Sequence, residues 1–481
     1  MERKLIEETT WLALFKFLSQ VLSWCVTILV ARILVPEDYG LMEMATVITG
    51  YAVIFSELGL GAAIIQKPRQ TKEELSSVFW FAFGFSLLLA MGAVAVAYPT
   101  AAMFNEPRVI PITQSTSILF ATSGMQIVPL SLLKKELEFK TIGKIEMLGV
   151  AVSSLCMYLI AKMGGGVWTL IGGHIIRNVT KLILVYLETR WRPSLHFRRE
   201  ELRGYVGFGI TVALGQSLFY VYDKSDRFFA ARAWPAQTLG YYSFALELAK
   251  IPTEKIVVLI NQVSFPALSK LQDQKEKFRE LYLGIIKVTA CIVFPLFVGG
   301  FLVAEELVRS LLNERWYPMI NVFRYLCLAQ MMTALSAINN SVHTARGRPG
   351  LGLFFNAFAA LAMPVSFYFA ARHGLNAILV PWFTTYMILS LAWIGYTLQQ
   401  IDVGAADYFR TIRNPFAATA VMVFGVIGLQ HVLPVPWMDK TPILVLLFLK
   451  GGLGAFLYVG YLWLFDRKIF HHLKALRAPG E

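Results

Sequence analysis

The sequence predicts an all-α integral membrane protein of about fourteen transmembrane helices, and three observations lead there. The chain is 56% hydrophobic and 16% charged, against roughly half and a quarter in an ordinary soluble domain, and its mean hydropathy is +0.57. It breaks into fourteen apolar segments, each near the length of about 20 residues that a spanning helix needs. Its positive charge collects in alternate loops. Fourteen spans use roughly 280 residues, so the 481-residue chain keeps only short loops and two tails. That excludes a secreted disulfide scaffold, a disordered chain and a cytosolic enzyme.

The segments lie at about 11–33, 40–62, 76–99, 110–131, 145–162, 167–189, 205–231, 240–262, 282–304, 319–340, 351–371, 375–398, 415–433 and 442–465. The first follows Arg3 and Lys4 like a signal peptide, but it is long enough to span and lacks a small-x-small cleavage site, so it reads as a retained helix. The segment 145–162 is the shortest, and Gly164 to Gly166 make a tight turn after it. With the N-terminus inside, the inner loops and tails hold 26 lysines and arginines, from Arg3 and Lys4 through Arg203 to Lys468, Lys474 and Arg477. The outer loops hold 8, Lys440 among them, so both termini are expected in the cytoplasm. The net charge of +13 then reflects topology and contact with anionic lipid headgroups, with no nucleic-acid partner. The longest outer loop, 305–318, reads as an amphipathic helical stretch, too short to build an outer active site.

The chemistry of catalysis is not visible. Cys25, Cys156, Cys291 and Cys327 sit in apolar runs and read as packing residues. No cluster has metal-ligand spacing, no P-loop follows a strand, and no cofactor or catalytic triad is expected.

An internal repeat orders the helices. ARILVPEDYG (31–40) recurs as ARAWPAQTLG (231–240), an offset of 200 residues that aligns Arg32 with Arg232 and Gly40 with Gly240. Each string forms the turn after the first helix of a six-helix set. The chain therefore reads as a lobe at 1–200, a parallel second lobe at 201–400, and two further helices with a tail at 401–481.

Four stretches carry a family resemblance: ARILVPEDYGLMEMA (31–45) with ELGLGAAIIQK (57–67), LLKKELEFKTIGKIE (132–146), DRFFAARAWPAQTLGYYSFALELAKIP (226–252) with VSFPALSKLQDQ (263–274), and NERWYPMINVFRYLC (313–327). The chain resembles the polysaccharide-transporter branch of the multidrug/oligosaccharidyl-lipid/polysaccharide exporter superfamily. These are the Wzx-type flippases, here nearest the colanic-acid-exporter-like group of lipopolysaccharide biosynthesis proteins. The resemblance implies a bacterial inner-membrane protein, acting as a monomer. It would flip an undecaprenyl-pyrophosphate-linked oligosaccharide unit for exopolysaccharide, O-antigen or capsule, beside a polymerase and export machinery. Three alternatives stand beside it: a multidrug antiporter of the same superfamily, a flippase for the peptidoglycan lipid precursor, and a membrane glycan polymerase or ligase.

Ionisable residues inside spans are costly and are the functional candidates. For the pyrophosphate and sugars these are Arg32, Arg177, Lys224, Arg227, Arg232 and Arg324, expected around a cationic cavity between the lobes. The competing reading has Arg32 and Arg232 snorkelling at span ends and Lys224 and Arg227 pairing with Asp223 and Asp226. Asp223, Asp226, Glu247 and Glu43 are the candidates for coupling to a proton or sodium ion, or else neutralise nearby arginines. Lys16, Glu57, Glu146, Lys181 and Lys287 are further in-span charges, and His174 reads as a packing residue. The two C-terminal helices either guide the prenyl chain or pack on one lobe.

Overall fold

The computed structural model describes the backbone of residues 2–57, 60–67, 69–348, 350–432 and 441–467, and the side chains within them outside 2–6, 9, 54–57, 203, 204, 206–214 and 258. The expected roles of Arg3, Lys4, Glu57, Arg203, Lys440, Lys468, Lys474 and Arg477 lie outside the described side chains. Among the described residues every element is a helix. Lipid selects this, because a helix satisfies its backbone polar groups within one segment. Ten spans are long and apolar enough to cross a membrane. The other four expected spans fall on long helices that carry charge: α2, α9, α10 and α13 below.

The chain forms two compact units, Met1–Gly240 and Tyr241–Glu481. The first unit holds α1 (Glu2–Ile33), α2 (Pro36–Glu57), α3 (Leu60–Gln66), α4 (Lys72–Phe104), α5 (Val109–Ser115), α6 (Ser117–Lys135), α7 (Phe139–Lys162), α8 (Val167–Thr189) and α9 (Arg203–Ala233). The helix α9 packs on α2 and α3, which is why it joins this unit. The boundary falls inside α10 (Ala236–Lys270).

The helix ends repeat the sequence offset: α1 stops at Ile33 and α9 at Ala233, while α2 starts at Pro36 and α10 at Ala236. The two turns also meet. A Cβ on Gly40 would lie 1.8 Å from the Ala236 carbonyl oxygen, and one on Gly240 would lie 1.7 Å from that of Pro36. Only glycine permits two helix N-termini to touch backbone to backbone here. Beside this crossing Asp38 accepts from the Val35 N–H at 3.0 Å and also hydrogen-bonds the backbone at Val167, the first residue of α8. Burial pushes the Asp38 carboxyl above its ordinary value, and those two backbone bonds oppose the shift. Gly166, at φ +50°, admits the close carboxylate. At the other end of the unit, residues 190–202 are stitched to α4. Ser194 donates to the Ser76 hydroxyl at 2.9 Å, Ser77 donates to Glu201 at 2.6 Å, and the Trp80 indole donates to the Ser194 carbonyl at 2.8 Å.

The second unit holds the rest of α10, then α11 (Lys275–Leu302), α12 (Ala304–Leu311), α13 (Ile320–Ala345), α14 (Gly350–Ala371), α15 (Val380–Phe383), α16 (Thr385–Gln400), α17 (Ala405–Val432) and α18 (Ile443–Phe465). The amphipathic stretch expected at 305–318 is α12 and a short 3-10 turn. The two C-terminal helices pack on α11 and α12, held by four polar contacts. Lys287 on α11 meets Asp466 at 2.7 Å, and Asn414 on α17 donates to the same carboxylate at 2.9 Å. Tyr458 donates to the Cys291 carbonyl at 2.9 Å, and buried Lys450 pairs with buried Glu306.

Gly40→Ala and Gly240→Ala are each expected to cost about 1–3 kcal/mol through overpacking against backbone, read as a lower thermal midpoint. Gly92→Ala, whose Cβ would meet open space, should not lower it. Equal midpoints for all three would refute the crossing.

Candidate functional site

The in-span charges fall into local groups. In the first unit α2 and α9 run antiparallel and in contact. Tyr220 donates to the Val47 carbonyl at 3.0 Å. Gly50 makes room for it, since a Cβ there would stand 2.3 Å from the Tyr220 hydroxyl. Lys224 and Arg227 follow Tyr220 at helical spacing and so share its face. Glu43 lies opposite them, one turn from Val47. Its Oε1 is 3.3 Å from Arg227 Nη1 and 4.0 Å from Lys224 Nζ. Asp226 is buried and accepts from the Arg227 backbone N–H at 2.7 Å; Asp223 is half-buried one turn earlier.

Spacing along one helix suggests Asp223 as the partner of Arg227, and the structure adds Glu43 from the neighbouring helix. The guanidinium side chain is 8% exposed and the carboxylate 17%, so the pair is largely out of solvent. Two cations share one carboxylate oxygen. An oxyanion that displaced Glu43 would meet a planar fork and a point charge together.

Arg177 lies half-way along α8, exposed, with exposed His174 and half-buried Lys181 one turn to either side. Gly149 on α7 leaves space beside Arg177, whose Cγ would be 3.8 Å from a Cβ there. Arg32 and Arg232 are exposed at the ends of α1 and α9, and Arg232 donates to the Met103 carbonyl at 3.2 Å. In the second unit Glu247 is exposed on α10. Arg324 is half-buried near the start of α13, 3.9 Å from Glu305 and with its guanidinium 5.8 Å from the Phe301 ring centroid. The structure thus joins Glu43, Lys224 and Arg227 in one cluster and sets Arg177 on a different helix.

Sequence reasoning passed over Lys450, eight residues into an apolar helix, and its partner Glu306. An isolated lysine in such a run was the available signal. Lys287, named only as an in-span charge, is tied to Asp466 and holds α18 in place.

The family model described as "Polysaccharide biosynthesis protein" matches residues 29–321. The chain belongs to this family. It is 26% identical over 362 residues to the lipopolysaccharide biosynthesis protein WzxC of Escherichia coli (strain K12), covering 74% of this chain and 73% of that one. It is 24% identical over 389 residues to the teichuronic acid biosynthesis protein TuaB of Bacillus subtilis (strain 168), covering 79% and 80%. Among solved structures, the lipid II flippase MurJ in an inward closed conformation superposes with a TM-score of 0.75 at 12% identity, covering 95% of this chain and 99% of that one. That likeness establishes the fold. The polysaccharide branch expected from the four sequence stretches is the one these family members occupy, and the protein is a multi-pass membrane protein.

Glu43→Gln removes the charge facing Arg227 and Lys224. It is expected to cost roughly 1–3 kcal/mol, between the values for exposed and fully buried pairs, measured as thermal unfolding in detergent. Glu43→Asp should recover part of the loss; a Gln variant as stable as wild type would show that the pair contributes nothing.

Proposed function

We propose that this protein is a lipid-linked oligosaccharide flippase. It carries an oligosaccharide unit on undecaprenyl pyrophosphate from the inner to the outer leaflet of the bacterial inner membrane, supplying surface polysaccharide synthesis. The observation that supports this best is the position of cations part-way along membrane-length helices in a chain of the polysaccharide biosynthesis family. Arg177 is exposed in the middle of α8, and Lys224 and Arg227 share a face of α9. Charges at such depth face protein partners or a watery cavity, because lipid does not solvate them. Phosphate oxygens match them in charge and, for arginine, in geometry.

In this reading all fourteen long helices span, both termini are cytoplasmic, and the substrate crosses by alternating access. Arg177, Lys224 and Arg227 bind the pyrophosphate, with Arg32, Arg232 and Arg324 along its route. Glu43 competes with phosphate for the Arg227 guanidinium, so protonating Glu43 strengthens anion binding. Asp223, Asp226 and Glu247 are the other carboxylates through which a proton or sodium gradient acts. The chain works as a monomer and hands its product to a polymerase and export machinery.

The test is transbilayer movement of a fluorescent undecaprenyl-pyrophosphate oligosaccharide in proteoliposomes, with and without an imposed ion gradient. Wild type should translocate it. Arg177→Ala and Arg227→Ala should each slow it about ten-fold or more, the weight of one charged hydrogen bond. No movement by folded wild type would overturn the reading in favour of a small-molecule antiporter, and unchanged variants would overturn the site.

A further inference from the structure

The second unit contains a cavity of about 620 Å³ that the cationic residues do not line. Its walls come from the first turns of α13 and from the segment between α14 and α16. Asn321, Tyr325, Asn376, Val380, Phe383 and Thr384 face it. Asn321 and Tyr325 are four apart on one helix face, and Asn376, Val380 and Phe383 follow at helical spacing on the other wall. The rings of Tyr325 and Phe383 stand at 87° with centroids 6.4 Å apart. The Phe301 ring also contacts Tyr325, with centroids 5.8 Å apart. All the named lining residues are exposed. Among the described residues the Asn321 and Asn376 side-chain amides make no hydrogen bond, whereas the Thr384 hydroxyl donates to the Val380 carbonyl at 2.8 Å.

The lining selects its ligand by elimination. The volume is within the ordinary range for a small-molecule site. It has no lysine or arginine on its walls, so it is not built for pyrophosphate. Its asparagines would be left unpaired by a hydrocarbon chain, which argues against a prenyl or acyl occupant. A pyranose ring has an apolar C–H face and a rim of hydroxyls that both donate and accept. Aromatic rings suit the face, and a carboxamide, with two donors and an acceptor, suits a pair of hydroxyls.

We propose that the Asn321–Tyr325–Asn376–Phe383 cavity is a carbohydrate subsite that holds a neutral hexopyranose ring. That the ring belongs to the transported glycan rests on the flippase reading; that the cavity binds sugar does not. The subsite gives the second unit a hold on the uncharged end of the substrate, separate from the phosphate-binding arginines of the first.

The experiment is saturation-transfer NMR on the full-length protein in nanodiscs, with methyl β-D-glucopyranoside, methyl β-D-galactopyranoside and, separately, sodium glucuronate. Wild type should transfer saturation to the ring protons of at least one neutral glycoside. Tyr325→Ala and Asn376→Leu should each weaken that signal about three- to ten-fold, the usual weight of one aromatic contact or hydrogen bond. Both side chains are exposed, so thermal midpoints should hold; if Tyr325→Ala does not fold, Asn376→Leu decides alone. No transfer from either neutral glycoside, transfer undiminished in a folded variant, or transfer from glucuronate only would each overturn the proposal. Sugar binding by a wild type that fails to move the lipid-linked substrate would overturn the flippase reading and leave the subsite intact.

Discussion

Two backbones touch where α2 and α10 begin, and much of the first unit is arranged around that contact. With Gly40 against Ala236 and Gly240 against Pro36, α2 and α10 are set at backbone distance. The antiparallel pairing of α2 and α9 then brings Glu43 to Arg227 and seats Tyr220 in the notch at Gly50. Side chains at the crossing would push α2 and α10 apart, and the charged pair one turn away would lose its geometry first. The repeat of the string around each glycine is therefore a steric requirement met twice.

A second constraint is the expense of charge in lipid. The structure meets it in two ways. Lys287 with Asp466 and Lys450 with Glu306 are pairs that fasten helices to one another. Arg177, with His174 one turn away, lies instead on an exposed stretch of α8. The difference separates charges paired between helices from charges exposed on one, and composition alone does not draw it.

The helices themselves were legible in the sequence because lipid leaves a coarse mark: long apolar runs broken by basic loops. The turn at 33–36 and its copy at 233–236 were legible too, since a repeat needs only the alphabet. Partners were not. Arg227 and Glu43 lie 184 residues apart, and nothing in local spacing pairs them over Arg227 and Asp223. Nor does sequence order specify that α9 packs on α2 and α3. The lining of the sugar-sized cavity combines α13 with a segment some fifty residues on, and its asparagines and aromatics look like ordinary loop and span residues when read in line.

The polar contacts of the C-terminal helices carry a mechanical consequence. Lys287–Asp466 and Tyr458–Cys291 tie α18 and its C-terminal end to α11, Lys450–Glu306 ties α18 to α12, and Asn414 on α17 meets the same Asp466 carboxylate. Tied on both sides of the α11–α12 junction, α18 splints that corner and travels with it. An added pair of helices of this kind changes how much a helix bends more than what it binds.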